Sequence, residues 1–150
     1  MSVGIINGDL SRTKARYICH SVNCQGRMNS GLGEMAWEKF PEAFEKYKSR
    51  CEKGAYLGIT QYVLSNNKFI VNMFVQLNSG CNGNKCVDLN ALIGCLAEIH
   101  SAIPDGNVIA MPYKAGCDMD DEEWAVIYNM IDRELGQDYT IELWKQTTEV

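Results

Sequence analysis

The sequence predicts a three-layer α/β/α domain built on a six-stranded mixed sheet. Two observations carry that reading. Short apolar runs of strand length alternate with longer segments whose apolar residues recur at helical spacing. Two of the six strands are joined by only Ser65, Asn66, Asn67 and Lys68, a link that suits an antiparallel hairpin, so the sheet cannot be wholly parallel. At 150 residues, 46% apolar and 22% charged, the chain has the bulk of one globular domain with one sizeable core.

Taken in order, Val3–Asn7 is a short apolar strand followed at once by Gly8 and Asp9. Residues 16–22 form a second strand rich in β-formers, including Tyr17, Ile18 and Val22. A polar loop over 23–30 leads to a helix over 31–40. Pro41 and Glu42 open another helix to about residue 53, where Ala43, Phe44 and Tyr47 recur at helical spacing. Residues 58–64 and 69–75 are the hairpin strands, and the Gly-, Asn- and Ser-rich stretch 77–86 is a loop. Asp88 caps a helix to about Ile103, with Leu89, Leu92, Leu96 and Ile99 on one face, and Pro104, Asp105 and Gly106 end it. A strand over 108–111, a helix over 121–135 and a last strand over 140–144 complete the chain.

A net charge of −5 repels phosphate backbones at long range, so duplex nucleic acid is not an expected partner. Residues 1–9 lack the basic start and long apolar core of a signal peptide. No run approaches the ~18 apolar residues of a bilayer span, so no membrane partner and a cytoplasmic location are expected. The seven cysteines are odd in number and several sit in apolar runs, which predicts free thiols in a reducing compartment. Cys81 and Cys86 have no second pair or nearby His to complete a zinc pattern, so neither metal nor cofactor is expected.

Four loops at strand ends hold the unusual residues. Asp9 could accept a hydrogen bond from an exocyclic amine, or could be a turn cap. The segment from His20 through Asn23, Asn29 and Ser30 to Gly31, Leu32 and Gly33 runs from a buried strand into a helix opened by glycines. Glycine lets the backbone approach a ligand closely, and unpaired N–H groups there favour a phosphate. Residues 112–120 offer a second set of backbone donors; Asp118 or Asp120 could act as a base, or Asp120 and Asp121 could simply cap the helix that follows. Trp144 either stacks on a purine or packs in the core.

In order and spacing these segments resemble a macro domain, of the branch containing ADP-ribose 1″-phosphate phosphatases and lysine-dependent terminal ADP-ribose–protein glycohydrolases. The resemblance covers nearly the whole chain and is strongest over His20 to Leu32 and Met111 to Trp124. It implies an ADP-ribose ligand, with an ADP-ribosylated protein as a further partner. Asp9 and Leu10 would meet the adenine, while Ser30, Gly31 and Leu32 would form the first diphosphate loop. Gly116, Cys117, Asp118 and Met119 would form the second. Asn23 would touch the distal ribose, Trp144 would lie near the adenosine, and Asp120 would be the catalytic acid or base, with His20 either its helper or a buried structural group. The implied reaction is hydrolysis at the distal ribose of ADP-ribose 1″-phosphate, an ADP-ribosylated protein or an O-acyl-ADP-ribose; the alternative is a non-catalytic reader. Gln76 stands where the glycohydrolase branch has a lysine nucleophile, and Gln cannot form a Schiff base.

Overall fold

In the computed structural model, which describes residues 2–28, 31–77, 86–117 and 119–146, alternating side chains of the central strands are buried on both faces of the sheet. The strands are β1 (Val3–Asn7), β2 (Tyr17–Asn23), β3 (Thr60–Ser65), β4 (Lys68–Gln76), β5 (Val108–Pro112) and β6 (Thr140–Lys145). They form one sheet in the order β1-β6-β5-β2-β4-β3, in which only the β3–β4 pair is antiparallel. The expected three-layer fold with a six-stranded mixed sheet is therefore present.

Two helices cover one face, α1 (Glu34–Lys39) and α2 (Pro41–Glu52), packed on Ile18, Val22, Ile70, Phe74 and Ala110. The other face carries α3 (Leu89–Ala102) and α4 (Asp121–Leu135), packed on Cys19, Val71, Met73, Ile109, Ile141 and Leu143. The period-two alternation of Ile18 with Cys19, Ile70 with Val71 and Ile109 with Ala110 sends each neighbour to an opposite layer. Asp88 caps α3 by accepting from the Ala91 amide at 2.9 Å, as its position before the apolar periodicity predicts.

Three expectations need correction. The helix placed at 31–40 begins only at Glu34, because Gly31 and Gly33 hold φ of 62° and 57° and keep the chain out of the helical region. Single 3-10 turns at Leu10–Arg12 and Tyr113–Gly116 were not expected, since one turn carries no periodicity to read. Cys86 is disulfide-bonded, against the expectation of free thiols, whereas Cys19, Cys24, Cys51, Cys95 and Cys117 are free. Burial in an apolar run describes Cys19 and Cys95, but Cys86 follows a Gly- and Asn-rich stretch of sequence. Among the described residues no helix is long and apolar enough to cross a membrane.

Two buried polar residues tie the layers together. The Glu123 carboxylate accepts from the Cys86 amide at 2.8 Å and the Val87 amide at 3.0 Å, anchoring the start of the α3 segment to α4. His20, 1% exposed in the middle of β2, accepts at Nδ1 from the Leu32 amide at 3.1 Å, while Nε2 faces Asn72 Oδ1. An acceptor at Nδ1 and a carbonyl at Nε2 define the neutral Nε2–H tautomer. Burial pushes the imidazole down to about 4, with the Asn72 hydrogen bond opposing the shift only in part.

Both residues generate measurable expectations. Glu123→Ala leaves two buried amides without an acceptor and should lower stability by about 3 kcal/mol in urea denaturation. For His20, the unfolded chain binds its proton near pH 6.5 while the folded chain resists until about pH 4. Stability from this group is therefore lost as pH falls through that window. Relative to His20→Gln, the wild-type chain should lose roughly 2 kcal/mol between about pH 7 and pH 5; parallel pH profiles would refute the assignment.

Candidate functional site

The connection leaving β2 turns toward β4 across the α1–α2 face, and the connection leaving β5 turns toward β6 across the α3–α4 face. β2 and β5 are neighbours, so their departing chains open a crevice at the carboxyl ends of the parallel strands. A groove of about 380 Å³ lies there. Its wall takes Gly8 and Leu10 from after β1, Gly31, Leu32 and Gly33 from after β2, Gly116 and Cys117 from after β5, and Trp144 from β6.

The two glycine bends touch. The Gly31 amide donates to the Ala115 carbonyl at 2.9 Å, and a β-carbon on Gly116 would overlap the Gly31 carbonyl. A β-carbon on Gly31 would in turn strike the Ser21 carbonyl and the His20 ring. Lys114, Ala115 and Gly116 all hold left-handed backbone, with φ of 52°, 56° and 67°. Lys114 is paired with Asp121 at 2.6 Å, and that ammonium holds the Asp121 carboxyl below its ordinary range.

These contacts revise how the bends meet a ligand. The amides of Gly31 and Leu32 are already donated, to Ala115 and His20, and serve to shape the loop. The Gly33 amide, on a groove-lining residue, meets no acceptor among the described residues, whereas the Gly116 amide belongs to the 3-10 turn Tyr113–Gly116. Lys114 and Lys145 also line the groove, and among its described lining residues there is no Asp or Glu. An acidic chain thus places two lysines on this cleft, one of them paired with Asp121.

Of the residues singled out from the sequence, Leu10, Gly31, Leu32, Gly116, Cys117 and Trp144 share this wall. Trp144 Nε1 donates to Glu142 Oε1 at 2.9 Å, which fixes the indole beside Gly8. Asp9 sits between two lining residues, and its carboxylate accepts from the Ser11 amide at 2.9 Å. That bond keeps it ionised below the usual carboxylate range. Asp120 is exposed and caps α4, accepting from the Glu123 amide at 2.8 Å. Met119 is buried in the α3–α4 core. Asn23 is fully buried; its Oδ1 accepts from Tyr47 Oη at 2.8 Å and the Gln25 amide at 3.0 Å, holding the loop after β2 closed. Gln76 is buried at the end of β4, where its carbonyl accepts from the Cys24 amide at 2.9 Å. Asn29, Ser30, Cys81 and Asp118 lie outside the described residues. Sequence reasoning missed Met35, Lys145 and Gln146 as lining residues, none of which carries a local signal.

No protein-family model matches the sequence, and no curated protein matches it. Solved structures do resemble it. A protein of unknown function from Bacteroides thetaiotaomicron superposes with a TM-score of 0.74 at 18% identity, covering 97% of this chain and 98% of that one. The macrodomain of Thermus aquaticus DarG gives 0.73 at 17% identity, covering 97% and 98%. Thermosipho africanus DarTG, solved in complex with ADP-ribose, gives 0.74 at 16% identity, with 96% of this chain matched to 41% of that longer one. At such identities the likeness speaks for architecture, and on that ground the chain has the α/β/α fold of the macrodomains.

Proposed function

We propose that the chain binds ADP-ribose or a derivative of it in the groove at the carboxyl ends of β1, β6, β5 and β2. The observation that carries this reading is the convergence of both glycine bends and Trp144 on one cleft lined by two lysines. The diphosphate would lie between the bends, with the Gly33 amide as a donor. Adenine would lie toward Leu10 and Trp144, with the ionised Asp9 as acceptor for its amine, and the distal ribose toward Cys117. DarTG, which shares the fold, was solved with ADP-ribose.

Hydrolysis at the distal ribose is the finer proposal. It is favoured by the exposed Asp120, three residues beyond the groove-lining Cys117 on the segment leaving the second bend. In that role Asp120 would activate water, and the bends would hold the substrate in register with it. His20 then acts through Leu32 as a positioning residue, since its ring is buried and neutral. The capture reading is favoured by the lack of a carboxylate among the described lining residues and by Gln76 in place of a lysine nucleophile.

Calorimetry with ADP-ribose tests binding directly. At 100 times the dissociation constant the ligand should stabilise the chain by about 2.7 kcal/mol. Gly116→Ala forces the bends apart and should weaken binding at least ~10-fold, which is about 1.4 kcal/mol. Absence of any heat or thermal shift with millimolar ADP-ribose would sink the proposal. Incubation with ADP-ribose 1″-phosphate, an ADP-ribosylated protein and O-acetyl-ADP-ribose, read by mass spectrometry, decides on turnover. A hydrolase should release ADP-ribose and lose that activity in Asp120→Ala while keeping its affinity; a capture domain should bind and release nothing.

A further inference from the structure

The pole of the molecule opposite the groove carries a second cluster of chemistry. His100, in the last turn of α3, faces three carboxylates. Its Nε2 lies 2.7 Å from Asp138 Oδ2, and its Nδ1 lies 3.3 Å from Glu134 Oε1. One donor atom each from His100, Asp105 and Asp138 fall within 4.8 Å of one another. Among the described residues no other trio of His, Cys, Asp or Glu is grouped this closely.

We propose that His100 Nε2 and the carboxylates of Asp105 and Asp138 form a binding site for a zinc-class divalent cation, with Glu134 orienting the imidazole from Nδ1. One imidazole and two carboxylates are a donor set that zinc accepts, and three protein ligands leave a fourth position for water. Zinc bonds near 2.0–2.2 Å place neighbouring donors roughly 3–3.5 Å apart. The His100–Asp138 separation of 2.7 Å is close to that value, and the side chains of Asp105, which is exposed, and Asp138, which is partly exposed, have room to adjust. A carboxylate on the far nitrogen is the usual outer partner of a metal-bound histidine, because it fixes the tautomer and the ring plane.

Charge argues for a cation as well. Three carboxylates surround one imidazole, and among the described residues no Lys or Arg forms an ion pair with them. The carboxyl ends of α3 and α4 both approach the cluster, adding the negative ends of two helix dipoles. The scaffold is rigid. The Gly106 amide donates to the Asp138 carbonyl at 2.7 Å, holding the turn that bears Asp105 against the turn that bears Asp138. The buried Tyr139 hydroxyl donates to the His100 carbonyl at 2.9 Å and sits within reach of the Ile103 carbonyl, while its ring meets the His100 ring edge-on at 5.6 Å. Pairing of His100 with Asp138 and Glu134 would account for two of the carboxylates and would leave Asp105 without a cationic partner of its own.

Zinc chloride titrated into the full chain against a chromogenic chelator is the test. One equivalent should bind, with a rise in the thermal midpoint that EDTA reverses. Asp105→Asn combined with Asp138→Asn should abolish that equivalent, and Glu134→Gln should weaken it roughly 10-fold. Cobalt substituted for zinc should show no thiolate charge-transfer band. The proposal is overturned by absence of stoichiometric uptake, by undiminished uptake in the double variant, or by a cobalt–thiolate band, which would assign the metal to the free cysteines. The readouts do not involve ADP-ribose, so the outcome is independent of the groove's ligand.

Discussion

The Gly31 carbonyl occupies the place where any β-carbon on residue 116 would stand, while the Gly31 amide reaches back to Ala115. The candidate site depends on this contact between two backbones. A groove between loops is only as well defined as the distance between them, and here that distance is set by van der Waals contact and one hydrogen bond. A side chain at residue 116 would force the bends apart and one at residue 31 would strike Ser21 and His20, so at this contact the wall of the groove is made of main chain. Main chain presents amides at fixed positions, so a cleft in an acidic molecule can receive an anion without a cluster of arginines.

The first bend has a rear support as well. A chain of buried polar groups runs from the Ala43 carbonyl and Gln61 through Asn72 to His20, and ends on the Leu32 amide. Every member lies in or beside the sheet, which lends the loop the stiffness of β2, β3 and β4. Inside the fold such a chain resists partial disruption, because an unpaired member has no water to turn to. Asn23 performs the same service for the stretch that follows β2, through Tyr47 and the Gln25 amide. Polar residues that looked like ligand contacts in the sequence thus also act as struts.

The strands, the hairpin and the cap at Asp88 were legible because each rests on local chemistry: period-two apolar runs, a turn-forming tetrapeptide, a carboxylate before a periodic stretch. The groove was legible too, through glycines that follow strands. What escaped notice depends on long-range pairing. That the Gly31 and Leu32 amides would be consumed internally cannot be read without knowing that Ala115 and His20 lie beside them. The grouping of residues 100, 105 and 138 arises because β5 and β6 are parallel neighbours, which brings the turns at their amino ends together. The short α1 reflects a conflict between glycine as a helix opener and glycine as a left-handed bend, and at Gly31 and Gly33 the bend prevails.

The second bend holds Lys114 and Ala115 in a conformation that residues with a β-carbon disfavour by roughly 1–2 kcal/mol each. That energy is retained only while the neighbouring loop props the turn in place. Among the parts of the rim, this arch is therefore the one under tension, and any event that lifts the opposing loop lets it relax.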